Sequence, residues 1–124
     1  MKLSHLSFSL MLAILPAFAF AQQNGLDAAL SKGNASDMGI YFNKNIDLAI
    51  PGADDTYTAD KAVTILSDFF AAQVVKGYKQ VHLSAPAQGR SKYSIGDLYT
   101  SKGTYRITLY YDTDQKITEI RIAK

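Results

Sequence analysis

Thr58-Ala-Asp-Lys-Ala-Val-Thr-Ile-Leu-Ser-Asp-Phe-Phe-Ala-Ala-Gln73 is the stretch on which the fold turns. Ala59, Ala62, Val63, Leu66, Phe69 and Phe70 recur at the spacing of one helix face, and Asp60, Lys61, Thr64, Ser67 and Asp68 fill the other. Thr58 suits the N-cap, since its hydroxyl can accept from a free backbone N–H, and Asp60 suits the positive end of the helix dipole. An apolar stripe this wide requires an apolar surface to lie on.

The residues after Gln73 supply that surface as alternating strands. Tyr78 to Ala85 sets Val81 and Leu83 against Tyr78, Gln80 and His82. Lys76-Gly77 before it reads as a turn and Pro86 to Arg90 after it as a loop. Ser91 to Ser101 carries Tyr93, Ile95 and Leu98 with a phase break at Gly96, which predicts a bulge turning both Ile95 and Leu98 inward. After the tight turn Lys102-Gly103, Thr104 to Tyr111 places Tyr105, Ile107, Leu109 and Tyr111 opposite Arg106, Thr108 and Tyr110. Asp112-Thr113-Asp114-Gln115 turns the chain into a last strand, Ile117 to Ala123, with Thr118, Ile120 and Ile122 opposite Glu119 and Arg121.

On the other side of the long helix, Leu26, Ala29 and Leu30 mark a short helix ended by Gly33. Ser36 starts a second, with Asp37 in its first turn, which Asn43-Lys44-Asn45 ends. Ile46, Leu48 and Ile50 make a strand stopped by Pro51-Gly52, and Ala53 to Thr56 reads as a loop. Helices that precede an antiparallel meander predict an α+β two-layer domain: one early strand and a four-strand C-terminal meander wrapped around the long helix and two short N-terminal helices.

The first 21 residues read differently. Lys2, the apolar run Leu6 to Phe20 and the small-x-small Ala19-Phe20-Ala21 have the form of a cleaved export signal, which predicts a mature domain of residues 22–124 in the periplasm or outside the cell, without a stable membrane anchor. The run is too short to span a bilayer and Pro16 breaks it. No cysteine is present, so disulfides, thiol–metal sites and N-terminal lipidation are excluded. Without Lys2, 12 basic residues face 11 acidic ones. A scattered balance of this kind argues against nucleic acid.

Leu30-Ser-Lys-Gly-Asn-Ala-Ser-Asp-Met-Gly-Ile-Tyr-Phe-Asn-Lys-Asn-Ile-Asp-Leu48 resembles the opening of the nuclear-transport-factor-2-like (cystatin-like) superfamily. Ile50-Pro-Gly, Tyr57-Thr, Asp68-Phe-Phe and Lys92-Tyr-Ser-Ile-Gly96 are similar to a small secreted bacterial family of unknown function within it, frequent in the Bacteroidota. The resemblance covers the mature chain and implies a curved sheet forming a cone that can hold a cavity. Superfamily members include isomerases, cyclases, dehydratases and proteins with no activity, often paired through the outer sheet face. Function must therefore be argued from the site.

An isomerase-like site needs a carboxylate base and hydrogen-bond donors to an oxyanion. The candidate cavity lining is Tyr57, Phe69, Tyr93, Asp97 and Tyr105, with Asp97 the candidate base; Glu119 falls outside by alternation, and the ordinary alternative for Asp97 is the solvated side of the bulge. His82 alone cannot build a multi-histidine metal site, and no serine sits in a nucleophile elbow. Asp54-Asp55 and Asp112-Thr113-Asp114 are turn residues; in the second, Lys116 stands where a calcium loop needs a ligand. No cofactor, metal or catalytic constellation is expected. Arg106, Thr108, Tyr110 and Arg121 share the outer face, where tyrosine and arginine fit a homodimer interface. The ordinary alternative is pairing of Arg106 or Arg121 with Glu119 across the sheet. The expectation is a non-catalytic binding or interaction module; the alternative is a cavity enzyme acting on a small hydrophobic molecule.

Overall fold

The computed structural model describes residues 16–84 and 92–124, with side chains from Asn24 onward. The expected loop Pro86 to Arg90 lies outside the described residues. In chain order the elements are α1 (Pro16–Lys32), α2 (Ala35–Met38), a 3-10 turn (Gly39–Tyr41), β1 (Phe42–Ile50), β2 (Ala53–Thr58), α3 (Ala59–Gln73), β3 (Val75–Leu83), β4 (Tyr93–Thr100), β5 (Gly103–Tyr111) and β6 (Ile117–Ala123).

α3 forms as its stripe requires. Thr58 Oγ1 accepts from Lys61 N–H, and Ala62, Leu66, Phe69 and Phe70 are buried. α1 ends in a Schellman turn: Gly33 N–H bonds Leu30 C=O, Asn34 N–H bonds Ala29 C=O, and Gly33 takes φ +66°. Asn34, and not Ser36, caps α2 by accepting from Asp37 N–H. Asn43-Lys44-Asn45 does not end a helix; it lies in β1, after the 3-10 turn has closed the helical segment.

The six strands form one curved, unclosed sheet in the order β2-β1-β6-β5-β4-β3. Every neighbouring pair is antiparallel except β1 and β6, which run parallel. The inner face presents Ile46, Leu48, Leu98, Tyr105, Ile107, Leu109, Tyr111, Ile117, Ile120 and Ile122 to the helices, all of them buried. α3 covers the β1–β2 side, and α1 covers β3.

Three expectations about the sheet are corrected. Ala53 to Thr56 is not a loop: it opens β2, which pairs with β1 across the two-residue turn Pro51-Gly52. Lys76-Gly77 lies inside β3. The bulges belong to β3, between Val75 and Gly77 and between Gln80 and His82, while β4 pairs with β5 without interruption from Tyr93 to Thr100. Because β4 keeps its phase, Ser94, Gly96 and Leu98 point inward and Tyr93, Ile95 and Asp97 outward. On β3, Tyr78 and Gln80 oppose the inward Leu98 and Gly96, whereas Val81 and Leu83 are exposed.

Candidate functional site

The residues expected to line one cavity fall in separate places. Phe69 and Tyr105 do meet inside, their rings edge to face with centroids 5.3 Å apart, and Tyr105 Oη donates to Gln73 Oε1 at 2.9 Å. Tyr57 sits half-buried on edge strand β2, against the rim of the core. Tyr93 and Asp97 lie on the outer face, opposite Tyr110 and Arg106. Asp97 Oδ1 accepts from Arg106 Nε at 2.9 Å, so the carboxylate expected as a cavity base is a surface ion-pair partner instead.

The outer face holds Arg106, Thr108, Tyr110 and Arg121, as the alternation predicts, and also Tyr93, Ile95 and Asp97, which were expected inside. Tyr93 centres a row of three rings, 5.5 Å from His82 and 6.1 Å from Tyr110. Ile95 and Thr108 are cross-strand partners beside this row, both half-buried. Arg106 pairs with Asp97, and Arg121 Nε donates to Glu119 Oε2, so each arginine has an acid of its own. In the turn before β6, Asp112 Oδ1 accepts from Asp114 and Lys116 N–H and Oδ2 from Asn43 Nδ2, which gives that carboxylate a structural role.

A different polar group occupies the inner face, and sequence reading passed over it. Tyr78 and Gln80 on β3, Ser94 on β4 and Tyr111 on β5 all point under α1, and Asp27 of α1 lies near enough to both phenols to influence them. Tyr111 Oη and Ser94 Oγ share a hydrogen bond of 3.3 Å. Tyr78 leans over Gly96: a Cβ at that position would fall inside the phenol. Lys92 Nζ stands 4.8 Å from the centre of the Tyr111 ring. Tyr78 Oη and Gln80 Oε1 are buried and find no hydrogen-bond partner among the described residues.

Burial, with the Asp27 charge second, raises the Tyr78 pKa well above the ordinary phenol value. Burial raises Tyr111 as well, opposed by the Ser94 bond and aided by Asp27. Desolvation lowers Lys92. The two phenols are thus neutral hydrogen-bond donors and not bases. Their linkage to stability has a definite sign: the fold retains protons that an unfolded tyrosine releases near pH ~10. The contribution of the neutral phenols is therefore complete below that value and declines as pH rises above it. In an alkaline titration followed by phenolate absorbance, at least two tyrosines are expected to ionise only in the step that unfolds the chain. Tyr78→Phe should shrink that late step; an unchanged step would show Tyr78 to be freely ionisable.

No group of three or more metal-ligating side chains occurs among the described residues, and no described helix is long and apolar enough to cross a membrane. The family model described as Domain of unknown function (DUF4783) matches residues 24–123. A DUF4783 family protein from Bacteroides fragilis is 28% identical over 81% of this chain and 95% of its own, with a TM-score of 0.71. One from Bacteroides ovatus is 24% identical over 81% and 92%, with a TM-score of 0.72. A steroid delta-isomerase from Pseudomonas aeruginosa is 19% identical over 93% and 82%, with a TM-score of 0.58, a likeness of fold alone. None of the curated proteins matches the sequence. The chain belongs to the DUF4783 family and has the nuclear-transport-factor-2-like fold.

Proposed function

We propose that this member of the DUF4783 family is an exported, non-catalytic interaction module that pairs with a second copy of itself through the outer face of its sheet. The observation that carries the reading is the row His82, Tyr93 and Tyr110, aligned beside Ile95 and Thr108 and flanked by two ion pairs. Partly exposed aromatic rings with arginine at their edge are the composition of interface cores.

Charge supports a second copy in particular. The face carries basic Arg106, Arg121 and Lys79 interspersed with acidic Asp97, Glu119, Asp47 and Asp54, so both signs are present on it. A two-fold axis through such a surface presents arginine to acid in both directions, as an isologous interface requires. The apolar leader ending at Ala21 supports export, and N-terminal sequencing of the secreted protein should begin at Gln22.

Sedimentation of protein expressed from the full-length sequence tests the pairing. A dimer is expected at micromolar concentration, and Tyr110→Asp should convert it to monomer by burying an unpaired charge at the centre of the face. A monomeric wild type, or a dimer indifferent to Tyr110→Asp, would refute the proposal. The cavity-enzyme reading has lost its base, because Asp97 faces outward and is paired with Arg106.

A further inference from the structure

Among the described residues, the two most exposed large apolar side chains are Ile40, 69% exposed, and Val74, 53% exposed. Both stand on the helical side of the molecule, one at each end of α3. Ile40 borders a hollow at the start of the helix, with Ala59, Asp60 and Val63. Val74 follows the last turn and borders a larger hollow of about 510 Å³, with Lys32, Asn34, Ala71 and Val75. Between them runs the row Ala59, Val63, Ser67, Ala71 and Val74, all within about 120° of the α3 circumference.

A lone apolar side chain on a surface is ordinary. These two are set apart by the backbone that carries each. Val74 takes φ 59°, a left-handed conformation that suits glycine or asparagine after a helix and strains a β-branched residue. Its N–H bonds Phe70 C=O and its C=O accepts from Ser101 N–H, so it is held there. Ile40 sits in the 3-10 turn, where its C=O accepts from Lys116 Nζ at 3.3 Å.

We infer that this face of α3 docks a second copy of the chain antiparallel to itself, Ile40 of each seated in the hollow beside Val74 of the other. Register favours a second copy. A two-fold axis at Ser67 exchanges the levels of Asp60 and Val74, each seven residues from it and about 10 Å along the helix. The same rotation carries each Ile40 toward the larger hollow. Charge agrees: Asp60 is exposed at one end and Lys32 at the other, so the axis sets acid against base twice. Neither forms an ion pair of its own among the described residues. Antiparallel helices also place the positive start of one α3 beside the negative end of the other. A contact this small buries less than the roughly 1,000 Å² of a stable interface, so it is weak and belongs to sub-millimolar concentration. It lies on the opposite side from the sheet face proposed for pairing, and each reading stands without the other.

Because the chain has no cysteine, disulfide cross-linking reads the register directly. Protein expressed from the full-length sequence carries Tyr110→Asp throughout, so that the sheet face takes no part. It is made with Ile40→Cys or with Ala71→Cys, both at exposed positions, and oxidised in air at sub-millimolar concentration. The mixture of the two variants should cross-link about tenfold faster than either alone, because the axis brings position 40 to position 71 and not to its own copy. Asp60→Lys in both partners should slow the reaction, and adding Lys32→Asp should restore it. A chain with both cysteines should stop at a dimer. No excess of the mixed product would overturn the inference, as would equal linking of either variant alone. So would an undiminished rate when Lys61→Cys, on the other face of α3, replaces Ala71→Cys. A ladder of products from the double variant would overturn the two-fold symmetry.

Discussion

Phe70→Ala is expected to remove about 3–5 kcal/mol of folding free energy, read from the midpoint of denaturant unfolding. Phe70 is 2% exposed and stands edge to face with Phe69, their ring centroids 6.0 Å apart. Its ring, together with that of Phe69, belongs to the buried face by which α3 joins the core. Alanine there leaves a cavity in that face. Against a total stability of roughly 5–15 kcal/mol for a domain of this size, the variant would be marginal. Ala71→Glu, one position along on the exposed side of α3, is the control and should change stability by no more than about 0.5 kcal/mol. A loss under ~1 kcal/mol for Phe70→Ala would mean that the stripe of α3 does not organise the core.

α3 was legible because its signal is redundant: a cap, a charge in the first turn and six apolar positions in phase all agree. β5 was equally clear, since Tyr105, Ile107, Leu109 and Tyr111 alternate without a break. β2 was not legible. Ala-Asp-Asp-Thr-Tyr-Thr has no apolar period, and it is a strand only because β1 offers it a register across Pro51-Gly52. An edge strand of polar residues is specified by its partner and hardly at all by itself.

The inner polar group was missed for a related reason. Alternation gives the period of a strand but not which face is inward. On β3 the more apolar pair, Val81 and Leu83, is exposed, and Tyr78 and Gln80 take the inner side. The one available clue was Gly96. A glycine inside a strand signals either a bulge or the close approach of another group. The bulge reading turned Ile95 inward, whereas the uninterrupted strand keeps it outward beside Thr108. The structure puts the irregularity on β3 instead, and Gly96 turns out to be the place where the Tyr78 phenol comes down onto β4.

That contact makes the sign of a single substitution informative. Glycine within a strand ordinarily loses to alanine by about 0.5–1 kcal/mol, because its unfolded chain is freer. Gly96 is not among the residues of positive φ, so its backbone asks for no glycine. On backbone grounds alone Gly96→Ala should stabilise. The new methyl would nevertheless overlap the Tyr78 ring, which is partly buried and packed against the core. Overpacking of this kind costs roughly 1–3 kcal/mol, enough to reverse the sign, so Gly96→Ala is expected to destabilise. A double-mutant cycle isolates the cause. With Tyr78→Leu already in place the overlap is gone, and the same glycine-to-alanine change should become neutral or favourable, a coupling on the order of 1–3 kcal/mol. Additive effects would show that the phenol does not rest on Gly96, and with it the inward course of β3 and the polar group built upon it would fall.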